Sequence, residues 1–492
     1  MPLFRPSLPA LVLALVTGPL HAQGPASVDL PRSVTDALVA QALPAESLSA
    51  WVQPVDDPLP LLAVRAEQPR PLASVMKLVT TGAALRLLSP THTWQTDVVL
   101  GGPVDRQGVL HGPLYVRAGG DPSLDATRLG AWLQQWRSAG LHTIRGDIVV
   151  DRSTFDLPAH DAAAFDGQPL KPYNAGPDAW LLAHQSTSLV LQPDLRRPGR
   201  ARVHLWPELA GVTLSDRVRL AGAASGDCGD WRSGLELQVD ATAGRITVTG
   251  SYPLACGLQN WPLRWPQARE GEHSERVWTA AWKAAGGHWH GRWRAGMGPA
   301  DAVAWQRWTS PPLSELVRDI NKFSNNVMAR HVFLALGGDP AQPLAAATVE
   351  RARQRVAEHV RASTRDAASR TSPCDGDRLV LDNGSGLSRT EGASARCMGR
   401  WVQAMWQDPL MPEWLASLPI AGLDGTARRM GVAVGRAHVK TGSLDDVSAI
   451  AGIVQTPQGQ RRIVVAVVHD PGAERARPVL RALLDWAGSD PP

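Results

Sequence analysis

The segment Pro71 to Leu88 constrains this chain more than any other. Leu78, Val79, Ala83, Leu85 and Leu88 give it an apolar body, and a helix of that kind belongs at the centre of a domain, flanked by sheet. Near its start stand Ser74 and, three residues on, Lys77, close to one helical turn apart and therefore on one face. A serine hydroxyl becomes a nucleophile when a neighbouring base takes its proton, and an amine desolvated by packing is neutral enough to serve. The plainer reading is a capping serine and a solvated charge. Composition weighs against it. Of 50 Lys plus Arg only five are lysine, Lys77, Lys171, Lys283, Lys322 and Lys440. Where charge alone suffices this sequence uses arginine, which is effectively never a base.

At 492 residues the chain exceeds what one hydrophobic core covers, so two or more domains are expected. Its formal net charge of +4 is spread along the sequence, with no block of like charge to act as a nucleic-acid arm. Met1 to Ala22 reads as a secretory signal: Arg5, an apolar run from Leu8 to Val16, and a small-residue cleavage site at Leu20-His21-Ala22. That run is too short to span a bilayer, so an exported chain without a transmembrane segment is expected, with peripheral membrane contact left open. In such a compartment the four cysteines favour disulfides over zinc, and sequence permits three connectivities. Pairing Cys228 with Cys256 and Cys374 with Cys397 closes a short loop inside one domain in each case.

Along the chain the periodicity predicts a helix over 34–43, strands over 48–55 and 61–64, and then the Ser74 helix. From about Thr93 the texture changes to short strands, among them 94–100, 110–117 and 146–150, with a helix near 129–136. Strand patterns dominate from Ser188 to Trp293. Eight of the nineteen tryptophans fall between Trp261 and Trp308, where strand packing is a simpler reading than sugar-binding platforms. His288 and His290 share a strand face without a carboxylate or cysteine partner, which argues against a metal site. Helical spacing returns at Leu313 to Ile320, breaks through Ser324-Asn325-Asn326, and resumes at Val327. Ala437 to Ser443 reads as a strand, 447–454 and 461–468 as a hairpin, and 479–486 as a closing helix.

Three elements thus stand in order: Ser74-x-x-Lys77 at a helix start, Ser324-x-Asn326 in an inter-helix turn, and Lys440-Thr441-Gly442 on a strand. Their joint occurrence is far more specific than any one of them. The sequence resembles the low-molecular-mass class C penicillin-binding proteins, the D-alanyl-D-alanine carboxypeptidase/endopeptidase family of the bacterial cell wall. The likeness runs from about Ser33 to the end and includes the gap of roughly 250 residues between the first two motifs, where that family carries an insert. Gly119 to Leu124, Ile144 to Asp151, Asp382 to Arg389, Leu418 to Gly425 and Lys440 to Ser448 add to it. Arg330 departs from the pattern, since relatives commonly place an acid there.

The resemblance implies an α/β (α+β) fold: a serine β-lactamase/transpeptidase-like catalytic domain over 23–93 and 306–492, with a large, mostly β two-domain insert. The insert would form one domain over 94–122 and 190–305 and a nested one over 123–189. It implies a periplasmic enzyme acting on peptidoglycan stem peptides, with β-lactam antibiotics as covalent inhibitors and no metal or organic cofactor. Ser74 would be the nucleophile, Lys77 the general base and Ser324 the relay to the leaving amine. Asn326 would hold the substrate amide, and Lys440, Thr441 and Ser443 its carboxylate, while Gly442 would let substrate approach the strand. The alternatives are a β-lactamase or esterase of the same fold, which needs fast deacylation, and a catalytically silent wall-binding homologue.

Overall fold

The computed structural model describes residues 29–222, 227–339, 341–342 and 345–490; the signal sequence expected over 1–22 lies outside them. The two ends of the chain build one five-stranded antiparallel sheet, in the order Leu62–Val64, Leu48–Pro54, Arg461–His469, Val447–Gln455, Ala437–Leu444. Val447–Gln455 and Arg461–His469 are buried along nearly their whole length, as strands covered on both faces must be. They form the expected hairpin, closed by a turn in which Gly459 takes φ +88°.

Each face of the sheet carries its own apolar core. On one face Ala449, Ala451, Val465 and Val467 meet the helices Lys77–Leu88 and Ala395–Gln407. On the other, Ile450, Val464 and Ala466 meet Arg32–Ala40 and Arg477–Ala487. The Lys77 helix is buried from Lys77 through Leu85, as its apolar body requires. Complete burial of each leucine there contributes on the order of 1.5–3 kcal/mol.

Between these ends lies the predominantly β segment. Its largest sheet runs Trp293–Ala295, Ile148–Asp151, Leu114–Arg117, Gln95–Leu100, Gln306–Thr309. Ile148–Asp151, from the segment expected to form a nested domain over 123–189, is hydrogen-bonded between strands outside those limits. The limits therefore do not separate two sheets. The strand expected over 110–117 is two, Val109–Leu110 and Leu114–Arg117, because Gly112-Pro113 interrupts the ladder. A helix, Glu272–Ala284, sits in the stretch that reads as strand. Trp278 and Trp282, one turn apart on it, are buried and stack on each other with centroids 5.8 Å apart. Trp136 packs against both, so the tryptophan concentration is core packing. His288 falls on a two-residue strand, and among the described residues no group of three or more His, Cys, Asp or Glu is placed to share a metal.

Both expected disulfides are present, Cys228–Cys256 in the predominantly β segment and Cys374–Cys397, which ties Cys374 to the first turn of the Ala395–Gln407 helix. Among the described residues no helix is long and apolar enough to cross a membrane.

Candidate active site

Ser74 does not cap the helix. It lies within a 3-10 turn, Ala73–Met76, that leads directly into Lys77–Leu88, and the turn has no side-chain cap. The preceding Ala73 is held at φ +47°, a left-handed backbone uncommon for a residue with a Cβ. Such conformations cost on the order of 1–3 kcal/mol and persist where surrounding packing imposes them. Two glycines do so. A Cβ on Gly386 would collide with the Ala73 carbonyl, and one on Gly442 would lie 2.5 Å from the Leu72 oxygen and 3.2 Å from the Ser74 nitrogen. The space that a Gly442 side chain would need is therefore filled by the Ser74 turn. The absent side chain lets the edge strand approach Ser74.

Lys77 has no exposed surface. Its Nζ donates to Ser74 Oγ at 2.9 Å, to Asn326 Oδ1 at 2.6 Å and to the Ser385 carbonyl at 2.5 Å. Burial holds its pKa well below the ordinary lysine value, and the nearby Lys440 and Arg330 cations push it the same way, while Glu391 opposes them. In the neutral amine, the Asn326 and Ser385 oxygens occupy the two N–H groups, leaving the lone pair directed at the serine hydroxyl. That arrangement suits proton abstraction.

Ser324 terminates the helix Leu313–Phe323 in a left-handed conformation, φ +58°, and Asn326 opens the next helix, Asn326–Ala335, whose cap is Asn325. The break thus presents Ser324 and Asn326 from one rigid turn. Asn326 spends its carbonyl oxygen on Lys77, so only its amide NH2 remains for a ligand. Lys440 Nζ donates to Ser324 Oγ at 3.1 Å and to the Thr441 carbonyl at 2.7 Å. Lys440 is also fully buried, and burial lowers its pKa to about 7. All three motifs therefore meet: Lys77 joins Ser74 to Asn326, and Lys440 joins Ser324 to the edge strand. Thr441 Oγ1 lies 2.7 Å from Thr426 Oγ1, and Ser443 is exposed at the strand's far end.

Several residues of the site carry no sequence signal of their own. Glu391, 1 % exposed, accepts backbone N–H groups from Asp382 at 3.2 Å, Gly384 at 2.9 Å and Gly386 at 2.7 Å. It shapes the loop that delivers the Ser385 carbonyl to Lys77. Desolvation raises its pKa, and those N–H groups act in the opposite sense. Arg330 is buried as well, donating to the Ala175 carbonyl at 3.0 Å. Being among the cations that depress Lys77, it bears on the protonation of that amine. Lys322 pairs with Asp424 at 2.5 Å, anchoring the loop that carries Thr426. The paired glycines of Asp382–Arg389, at φ +72° and +77°, are the one sequence clue to this loop.

A buried lysine directed at a serine, beneath the edge of an antiparallel sheet, with a second serine–lysine pair closing the cleft, defines the penicillin-interacting class of serine peptidases. The chain belongs to the D-Ala-D-Ala carboxypeptidase 3 (S13) family, whose pattern it matches over residues 30–488. It is thus a serine-type DD-peptidase of the low-molecular-mass class C penicillin-binding group. It is 30% identical over 412 residues to a D-alanyl-D-alanine carboxypeptidase of Actinomadura sp. (strain R39), covering 79% of this chain and 71% of that one. With the D-alanyl-D-alanine carboxypeptidase DacB of Haemophilus influenzae it shares 23% identity over 410 residues, covering 81% of this chain and 80% of the relative. The crystal structure of penicillin binding protein 4 (dacB) from Haemophilus influenzae superposes with a TM-score of 0.71 at 19% identity, over 92% of this chain and 98% of that one, which is a likeness of fold.

Proposed function

We propose that the chain hydrolyses the bond after the penultimate D-alanine of peptidoglycan stem peptides through an acyl-enzyme on Ser74, in the periplasm. The observation that carries this reading is the Lys77 amine, buried, depressed in pKa and 2.9 Å from Ser74 Oγ. Lys77 takes the hydroxyl proton as Ser74 Oγ attacks the carbonyl. The oxyanion is received by the backbone N–H groups of Ser74 and Ser443, a reading supported by the close approach of the strand to the Ser74 turn at Gly442. Lys440, with Thr441 and Ser443, holds the carboxylate of the departing residue, and Ser324, bonded to Lys440, passes a proton to the leaving amine. Water then releases the acyl group. A β-lactam, which presents a strained amide and a carboxylate in the same relation, acylates the same serine.

For the architecture, we propose a catalytic domain formed by the two chain ends, over 23–93 and 306–492, with the intervening segment as an insert.

Incubation with a penicillin followed by peptide mapping should place the adduct on the peptide containing Ser74. Labelling that survives in Ser74→Ala would remove the nucleophile assignment. Product analysis on cross-linked and uncross-linked muropeptides measures the endopeptidase and carboxypeptidase activities separately.

A further inference from the structure

A cavity of about 440 Å³ adjoins Thr441–Ser443, lined also by Phe323, Arg428, Arg429, Arg477 and Arg481. Phe323 and Thr441 are the chain neighbours of Ser324 and Lys440, so the cavity begins where the carboxylate pair ends. Its volume is in the range that holds a drug-sized ligand, far more than one terminal alanine needs. Among the described residues no carboxylate lines it. The nearby ion pairs, Lys322 with Asp424 and Arg475 with Glu474, involve none of its four arginines. Among the described residues Arg481 donates only to the Arg429 carbonyl, at 2.8 Å, which holds a helix arginine over the loop without neutralising either charge. All four guanidinium groups are exposed, and gathered on one concavity they give it a positive potential that attracts an anion.

We propose that this cavity is the subsite for an extended, anionic leaving group: a second stem peptide, whose departing amine is followed by carboxylates beyond the one beside the scissile bond. The proposal rests on the acyl-enzyme reading above. The leaving half of the substrate lies on the Lys440–Ser324 side, and a chain continuing past Thr441 enters this cavity. A single departing D-alanine has one carboxylate, held at the rim of the cavity by Lys440, Thr441 and Ser443, and leaves the four arginines without a partner. A cross-linked peptide carries further carboxylates in the form that arginine recognises. The four arginines therefore select for cutting cross-links over trimming free ends.

The test compares kcat/KM on a cross-linked muropeptide dimer and on an uncross-linked pentapeptide monomer, for wild type and the combined variant Arg428→Gln, Arg429→Gln, Arg477→Gln. Each exposed charge contact is worth about twofold to fivefold, so the variant should lose on the order of tenfold on the dimer. The monomer rate and the penicillin acylation rate should stay within about twofold. An unchanged ratio of dimer to monomer, or an equal loss on both, overturns the proposal. Should the variant fold poorly, wild type gives the answer through salt. Shortening the screening length from about 30 Å to about 3 Å should depress dimer cleavage more steeply than monomer cleavage. Equal salt slopes overturn the subsite. A wild type that neither forms a penicillin ester nor cleaves either peptide would instead remove the acyl-enzyme reading itself.

Discussion

Lys77 Nζ donates to the carbonyl oxygen of Ser385, a residue 308 positions later in the chain, at 2.5 Å. That carbonyl belongs to a loop closed on Glu391, so a buried carboxylate that touches neither Ser74 nor Lys77 bears on where the Lys77 amine sits.

Glu391→Gln tests this. The amide has one acceptor oxygen where the carboxylate has two, leaving a buried N–H unmatched at a cost of about 1–3 kcal/mol. Displacement of the Ser385 carbonyl should slow penicillin acylation by up to about 10²-fold. Because the Glu391 charge raises the Lys77 pKa, its removal lowers it, and the acid limb of the acylation profile should move to lower pH. A slower rate with an unmoved limb would make Glu391 purely structural.

Lys77→Arg should fold and fail to acylate, slowed by on the order of 10²–10⁴-fold, since a guanidinium does not accept the serine proton. The second-order acylation rate, with thermal melts to verify folding, is the measurement. Near wild-type acylation in a folded variant would exclude Lys77 as the base.

Lys440 sets an alkaline limb. Its folded pKa of about 7 lies below the ordinary lysine value, so it is a cation below about pH 7 and loses its charge above it. The profile of kcat/KM reports the free enzyme. Cleavage of a carboxylate-terminated peptide should decline as pH rises through that value, while an amide-capped peptide should show no such limb. The same depression makes the unfolded chain bind the extra proton between about pH 7 and the ordinary lysine value near 10.4, so this lysine's contribution to stability rises with pH across that window.

Gly442→Ala should impair the site through contact with backbone. Its Cβ would lie 2.5 Å from the Leu72 oxygen, which cannot rotate away as a side chain would. Separation of the edge strand from the Ser74 turn should destabilise by about 1–3 kcal/mol and slow acylation at least tenfold. Chemical denaturation and acylation rates check both numbers.

Replacing Cys374 and Cys397 together by alanine should lower unfolding free energy by about 2–4 kcal/mol, measured by denaturant titration, with a similar effect for Cys228 and Cys256.

The sheet, its hairpin and the helix break at Ser324 were legible because each imposes a local pattern: continuous apolar runs in the hairpin, and a Ser-Asn-Asn interruption between two apolar periodicities. The meeting of Ser74, Lys77, Ser324, Asn326 and Lys440 was legible through the order and context of their motifs. Glu391 was not, because an acid in a Gly-Ser-rich loop reads as solvated until three N–H groups are seen to converge on it. Arg428 and Arg477 are brought to one cavity only by tertiary packing, and nothing in their spacing foretells it. The helix Glu272–Ala284 was hidden by tryptophans, whose β preference reflects packing that a buried helix face supplies equally well.

The pairing of Leu48–Pro54 with Arg461–His469 carries a temporal consequence. Ser74 belongs to the first part of the chain, the Ser324 turn to its later part and the edge strand to its end, and the central sheet joins first to last. A chain emerging from its amino end onward therefore holds Ser74 for almost the whole of its synthesis with no strand beside it and no loop carbonyl to seat Lys77. Such long-range pairing also folds slowly. Until nearly its last strand arrives the chain lacks the contact of Lys440 with Ser324 and the approach of Gly442 to the Ser74 turn, so a truncated chain has no complete site.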